Sequence, residues 1–155
     1  MTSWWDRFMR CRQMLNLSHL HPKGWVKISV NGMKVAEDHN MIVQTGLNLL
    51  ANRIYGDNVV LPRIFHFGTD SASTIISMIG LQGTDLFQKE ATVTKENNSL
   101  LWEWSGTYLG ETVSVGEVGI FNSGMIMLAR FVPIPAFTIK NGDVLEVSWQ
   151  ITLGE

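Results

Sequence analysis

The chain has 155 residues, 45% hydrophobic and 17% charged, the composition of one folded domain rather than of a disordered segment. Twelve basic against fourteen acidic residues give a net charge of -2, which supplies no electrostatic pull toward phosphate backbones or anionic lipid and argues against nucleic-acid and membrane partners. The single cysteine, Cys11, excludes an internal disulfide framework, and no apolar run approaches the ~20 residues a bilayer requires.

Residues 1–23 stand apart. Trp4, Phe8, Cys11 and Leu15 recur at helical spacing, Ser3 and Asp6 sit as a capping pair, and Pro22 and Gly24 end the segment. The expectation is an amphipathic arm and linker over 1–23, followed by a sandwich domain over 24–155. Mixed charges and aromatics at the start lack the order of a secretion signal, so cytoplasmic synthesis is expected. An arm rich in Trp4, Trp5, Phe8, Met9 and Leu15 buries these side chains only by docking, on its own sandwich or on a neighbour.

From Trp25 the pattern becomes that of strands. Trp25–Val30 leads into Asn31-Gly32, the strongest short signal for a two-residue hairpin, with Met33–Ala36 returning. One internal helix is expected where Leu47, Leu50, Ala51 and Ile54 repeat behind a Thr45 cap, with Gly56 past its end. Further strands are expected over Arg63–Phe67, Ala91–Lys95, Leu100–Trp104, Gly116–Phe121, Met125–Val132 and Val144–Leu153, divided by Asn97-Asn98-Ser99, Asn122-Ser123-Gly124 and Lys140-Asn141-Gly142-Asp143. In the last strand Leu145, Val147, Trp149 and Ile151 share one face, which is assigned to the core. The fold class is therefore mainly β: an antiparallel sandwich, jelly-roll or immunoglobulin-like, with one short helix. Gly68 to Asp85 reads as a long loop around the apolar run Ile75 to Ile79, and loops of this length carry recognition or subunit contacts.

Chemistry is sparse. His19 and His21, with His39 as a third ligand, lack a cysteine or carboxylate at metal-site spacing, and no metal or cofactor is expected. His66, between Phe65 and Phe67, has no visible nucleophile and is placed on the solvent or interface side of its strand. The carboxylates are scattered, and Glu117 is the exception. It lies among Val115, Val118 and Ile120, so burial would demand a partner, for which Arg130 is available. Nucleotide-binding and nucleophile-elbow glycine patterns are absent, and the chain is read as a non-enzyme. Six tryptophans exceed what one core of this size readily absorbs. Trp102 and Trp104 are therefore weighed as sugar-stacking platforms of a carbohydrate-binding sandwich.

Several blocks carry a resemblance. Asn40-Met41-Ile42-Val43-Gln44-Thr45-Gly46-Leu47-Asn48-Leu49-Leu50-Ala51, Ile64 to Asp70, Glu117-Val118-Gly119-Ile120-Phe121, Met127-Leu128-Ala129-Arg130 and Leu145 to Ile151 resemble segments of small structural proteins of tailed-phage particles. The resemblance spans roughly residues 25–153 and carries no catalytic signature. It implies a virion structural protein, foremost a capsid decoration (cement) protein on the capsid surface that stabilises the major capsid protein lattice. It also implies a homo-oligomer, with a trimer preferred. A tail adaptor, fibre-base or baseplate component is the alternative within the virion, and a carbohydrate-binding module the alternative outside it.

Overall fold

The computed structural model describes residues 22–154. The arm anchors Trp4, Trp5, Phe8, Met9 and Leu15 lie outside the described residues, as do His19 and His21. Strand β1 (Lys23–Val30) turns at Asn31 and Gly32, whose φ angles of 52° and 78° are those of a type I′ hairpin, into β2 (Met33–Ile42). The chain continues through helix α1 (Gln44–Tyr55), β3 (Ile64–Gly68), β4 (Asp85–Glu90), β5 (Thr92–Glu96), β6 (Ser99–Thr107), β7 (Val113–Val115), β8 (Glu117–Phe121), β9 (Met127–Phe131), β10 (Phe137–Ile139) and β11 (Val144–Thr152).

The fold is mainly β, and all the strand pairs are antiparallel. The main sheet has the order β4-β3-β8-β9-β2-β1-β11-β6-β5, with β7 and β10 forming a separate two-stranded ribbon. Strand β2 joins the two halves. Most of its length pairs with β1, while Met41 and Ile42 at its end pair with Arg130 and Ala129 of β9. On the opposite side, Ala91 alone separates β4 from β5, the two edge strands. The sheet therefore wraps into a flattened sandwich close to a barrel, joined by hydrogen bonds through β2 and by the chain itself at Ala91.

The alternation in β11 sets the core. Leu145, Val147, Trp149 and Ile151 are all buried, and Trp149 stacks on Phe65 across the sandwich, with ring centroids 6.2 Å apart, while Phe131 meets it edge-on. Trp102 joins this core, and its indole Nε1 donates to Pro62 O at 2.8 Å.

Two local expectations, the apolar face of helix α1 and its cap, are corrected. Helix α1 buries Gly46 and Leu49, with Leu47 and Leu50 half-buried, whereas Ala51 is exposed and Ile54 is 87% exposed. Gly46 decides this. A side chain there would collide with the carbonyl of Leu128, so the helix turns its glycine face onto β9 at the closest approach. Thr45 does not cap the helix: the N-cap is Val43, and Thr45 Oγ1 donates instead to Met127 O at 2.7 Å. Gly56, at φ 106°, is the left-handed C-cap. In the β8–β9 turn, positive φ falls on Met125 rather than on Gly124. There the Asn122 side chain sets the turn, accepting from Ile126 N at 2.9 Å and donating to Val60 O at 3.1 Å.

Candidate functional site

Strands β3, β8 and β9 are buried on both faces. Phe65, Phe67, Val118, Ile120 and Phe131 fill the sandwich, while His66, Glu117, Phe121 and Arg130 are buried as well. The second face is covered by the loop running from 69 to 84. Phe121, Met127 and Val43 form a small apolar cluster there, and Met78 and Leu81 of the loop pack on it.

A buried ion pair holds the loop in place. Arg130 Nε and Nη2 each approach Glu117 Oε2 at 2.8 Å, and neither side chain has any exposed surface. The remaining hydrogen-bonding capacity goes to the loop backbone. Glu117 accepts from Gly83 N at 2.7 Å, Gln82 N at 2.9 Å and Asp70 N at 3.4 Å. Arg130 donates to Ala72 O at 2.7 Å, Thr74 Oγ1 at 2.9 Å and Asp70 O at 3.2 Å. Both ends of the loop are thus tied to two adjacent charges, which is how a buried pair compensates its desolvation. Gly68, paired with Glu117 across β3 and β8, leaves room for the carboxylate, since a Cβ there would stand 2.5 Å from Glu117 Oε1. A further tie joins the loop to the helix: Gln44 N donates to Ile76 O at 2.8 Å.

His66 is corrected from the solvent side to the interior, at 1% exposure. Its Nδ1 donates to Asp85 Oδ2 at 2.7 Å, and its ring lies 4.3 Å from that of Phe121. The sequence assignment failed because it allowed β3 only one buried face. Asp85, the last residue of the expected loop, opens β4, a strand the sequence reading did not assign, and its bond to His66 fastens the loop at its exit.

Besides polar Ser71, Ser73, Ser77, Gln82 and Thr84, the loop displays a group of apolar side chains. Ile75, Ile76 and Ile79 are 57%, 52% and 73% exposed, on a backbone held by the ties above.

The outer face of β1, β11 and β6 carries an open trough of about 630 Å³ lined by Lys27, Ser29, Glu103, Ser105, Glu146 and Ser148. Its two glutamates are exposed. Trp102 is buried at 3% exposure and cannot serve as a sugar platform, and half-buried Trp104 lies beneath Lys89 Nζ at 5.2 Å. Trp25, 41% exposed, is held edge-on to His39 and donates to Glu37 Oε1 at 3.1 Å. Among the described residues, no group of three or more His, Cys, Asp or Glu side chains is placed to hold a metal ion. No helix among them is long and apolar enough to cross a membrane.

Comparisons with protein-family models, with curated proteins and with solved structures found no match for this chain.

Proposed function

We propose that this protein is a non-enzymatic structural module that docks onto other protein chains, and that the loop over 69–84 is its docking surface. The observation that carries this reading is the Glu117–Arg130 clamp beneath a loop whose outer side presents Ile75, Ile76 and Ile79. Apolar side chains on a backbone ordered in advance lose little conformational entropy on binding, which favours association over solvation of the free surface. The buried charges are consumed in holding that backbone and present no reactive group outward.

The motif resemblance turns this general role into a particular one: a capsid decoration protein of a tailed phage, bound to the major capsid protein on the virion surface, with a tail adaptor or baseplate piece as the alternative position. Decoration calls for repeated, symmetry-related docking sites and suits a homotrimer. Quantitative co-sedimentation with undecorated phage heads tests it. Saturable binding at on the order of hundreds of copies per head, the number capsid symmetry provides, is expected, with at least a tenfold loss in an Ile75→Ser, Ile79→Ser variant of unchanged circular dichroism. Absence of binding to heads overturns the capsid assignment and directs the search to tail complexes. Full binding by the isoleucine variant overturns the role of the loop.

A further inference from the structure

The outer face of β1, β11, β6 and β5 is hollowed along its length. Beside the open trough lies a second depression of about 350 Å³, lined by Thr94, Leu101 and Gln150 and by the β5–β6 turn. Strand register makes the two continuous. Thr92, Glu103 and Ser148 of the trough stand two residues from Thr94, Leu101 and Gln150 on the same three strands, so all emerge on one face. From Ser105 to Ser99 along β6 the groove runs about 20 Å. Its hollow comes from short hydroxyl side chains, Ser29, Ser105, Ser148 and Thr92, set between the longer Lys27, Glu103 and Glu146. Trp25 stands at the β1 border of this groove, paired with Gln150 and two residues before Lys27 on the same face. Its indole is 41% exposed yet fixed. The ring meets His39 edge-on at 4.7 Å between centroids and donates to Glu37, which Lys34 holds at 2.8 Å.

We propose that this groove binds a neutral oligosaccharide, with Trp25 as the stacking platform and Glu103, Glu146 and Gln150 as partners for its hydroxyls. The platform is thus neither Trp102 nor Trp104. An indole immobilised in advance offers its face to the C–H side of a pyranose ring and loses little further freedom on binding. Among the described residues, the side chains of Glu103, Ser105, Glu146, Ser148 and Gln150 have no hydrogen-bond partner, so their capacity is open to a ligand. Charge selects the kind of glycan. Glu96, Glu103 and Glu146 outnumber Lys27 along the groove, a balance that repels sulfated, phosphorylated or sialylated chains and nucleic acid. Composition argues against a protein occupant, because interface cores are poor in Ser, Glu and Lys, the residues that line this groove.

This binding face is separate from the 69–84 loop, which covers β3, β8 and β9 on the other half of the sheet. The test is a heteronuclear NMR titration of the full chain with linear oligomers of glucose, of N-acetylglucosamine and of mannose, with a sialylated oligosaccharide and a lysine-rich peptide in parallel. Saturable shifts of the Trp25 indole signal and of the Glu103, Ser148 and Gln150 amides are expected with a neutral oligomer. Trp25→Ala should weaken binding at least tenfold. So should Ser148→Tyr, which fills the floor and leaves the platform in place. The Ile75→Ser, Ile79→Ser variant should bind the same oligomer as the parent does, so that failure here and failure of loop docking are read separately. Absence of these shifts with every neutral oligomer, preference for the sialylated chain or the peptide, or full binding by both Trp25→Ala and Ser148→Tyr overturns the proposal.

Discussion

Arg130 and Glu117 are thirteen residues apart in sequence and stand on neighbouring antiparallel strands, where they meet at 2.8 Å with no exposed surface on either side chain. Removing one partner of such a pair leaves a buried charge uncompensated and costs about 3–5 kcal/mol. Arg130→Met is expected to lose that much in urea unfolding. In many proteins replacing both partners with apolar residues restores stability, but here it should not. The amides of Gln82 and Gly83 and the carbonyl of Ala72 would lose their partners together. Glu117→Leu with Arg130→Met should therefore remain less stable than the parent by at least about 2 kcal/mol, from desolvated backbone groups alone. Hydrogen exchange of the 69–84 amides should rise in the same variant.

Gly46→Ala reverses an ordinary expectation. Within a helix, alanine is favoured over glycine by about 1 kcal/mol. At this position the added methyl meets the backbone of Leu128, and overpacking against backbone costs about 1–3 kcal/mol. A net loss in thermal unfolding is expected, whereas Ala51→Gly on the exposed face of the same helix should cost only the propensity difference.

His66→Phe keeps the ring but removes the bond to Asp85. Asp85 is one third exposed, so water can replace the histidine there. The loss should stay at the low end of the about 1.5–3 kcal/mol of a hydrogen bond to a charged group, below that of Arg130→Met. Equal losses for the two variants in parallel urea titrations would contradict the hierarchy of loop anchors described above.

The Asn31 side-chain amide, followed by the backbone N–H of Lys140, holds the Asp143 carboxyl below its ordinary value of 3.8. A carboxylate depressed in the folded state contributes stability that is fully present above the unfolded pKa and is lost as pH falls through the folded value. The corner joining Asn31 to Asp143 and Val144 should thus hold from neutrality down to about pH 4 and loosen at lower pH. NMR titration should place the Asp143 midpoint below 3.8, and Asp143→Asn should remove that pH dependence from the exchange of the Val144 amide.

Where local chemistry alone decides the outcome, the sequence could be read directly. Asn31-Gly32 specifies its hairpin, the period-two alternation of β11 specifies its buried face, and Glu117 among valines and an isoleucine marks a burial that needs a partner. Readings failed where distant chain decides. His66 looked solvent-facing because the loop covering it has no periodicity. Strand β4 was missed because Asp85-Leu86-Phe87-Gln88-Lys89-Glu90 carries charges at both ends and pairs through a shifted register beside Gly68. The three-residue strands β7 and β10 are too short to show a period, and the buried face of α1 was misassigned because glycine contributes nothing to an apolar pattern. The apolar pocket lined by Leu49, Leu50, Val93, Leu100 and Trp102 has no sequence signature, since its walls come from α1, β5, β6, β9 and the segment ahead of β3.

The single-residue step at Ala91 bears on how copies of this protein behave when crowded. A sheet with two free borders invites neighbours to add strands indefinitely, the route to fibres and insoluble aggregate. Here both borders belong to strands joined at Ala91 and studded with ionic groups: Asp85, Lys89 and Glu90 on one, Lys95 and Glu96 on the other. Side-by-side polymerisation through these borders is therefore disfavoured, which leaves the isoleucine-bearing loop for the docking proposed for it.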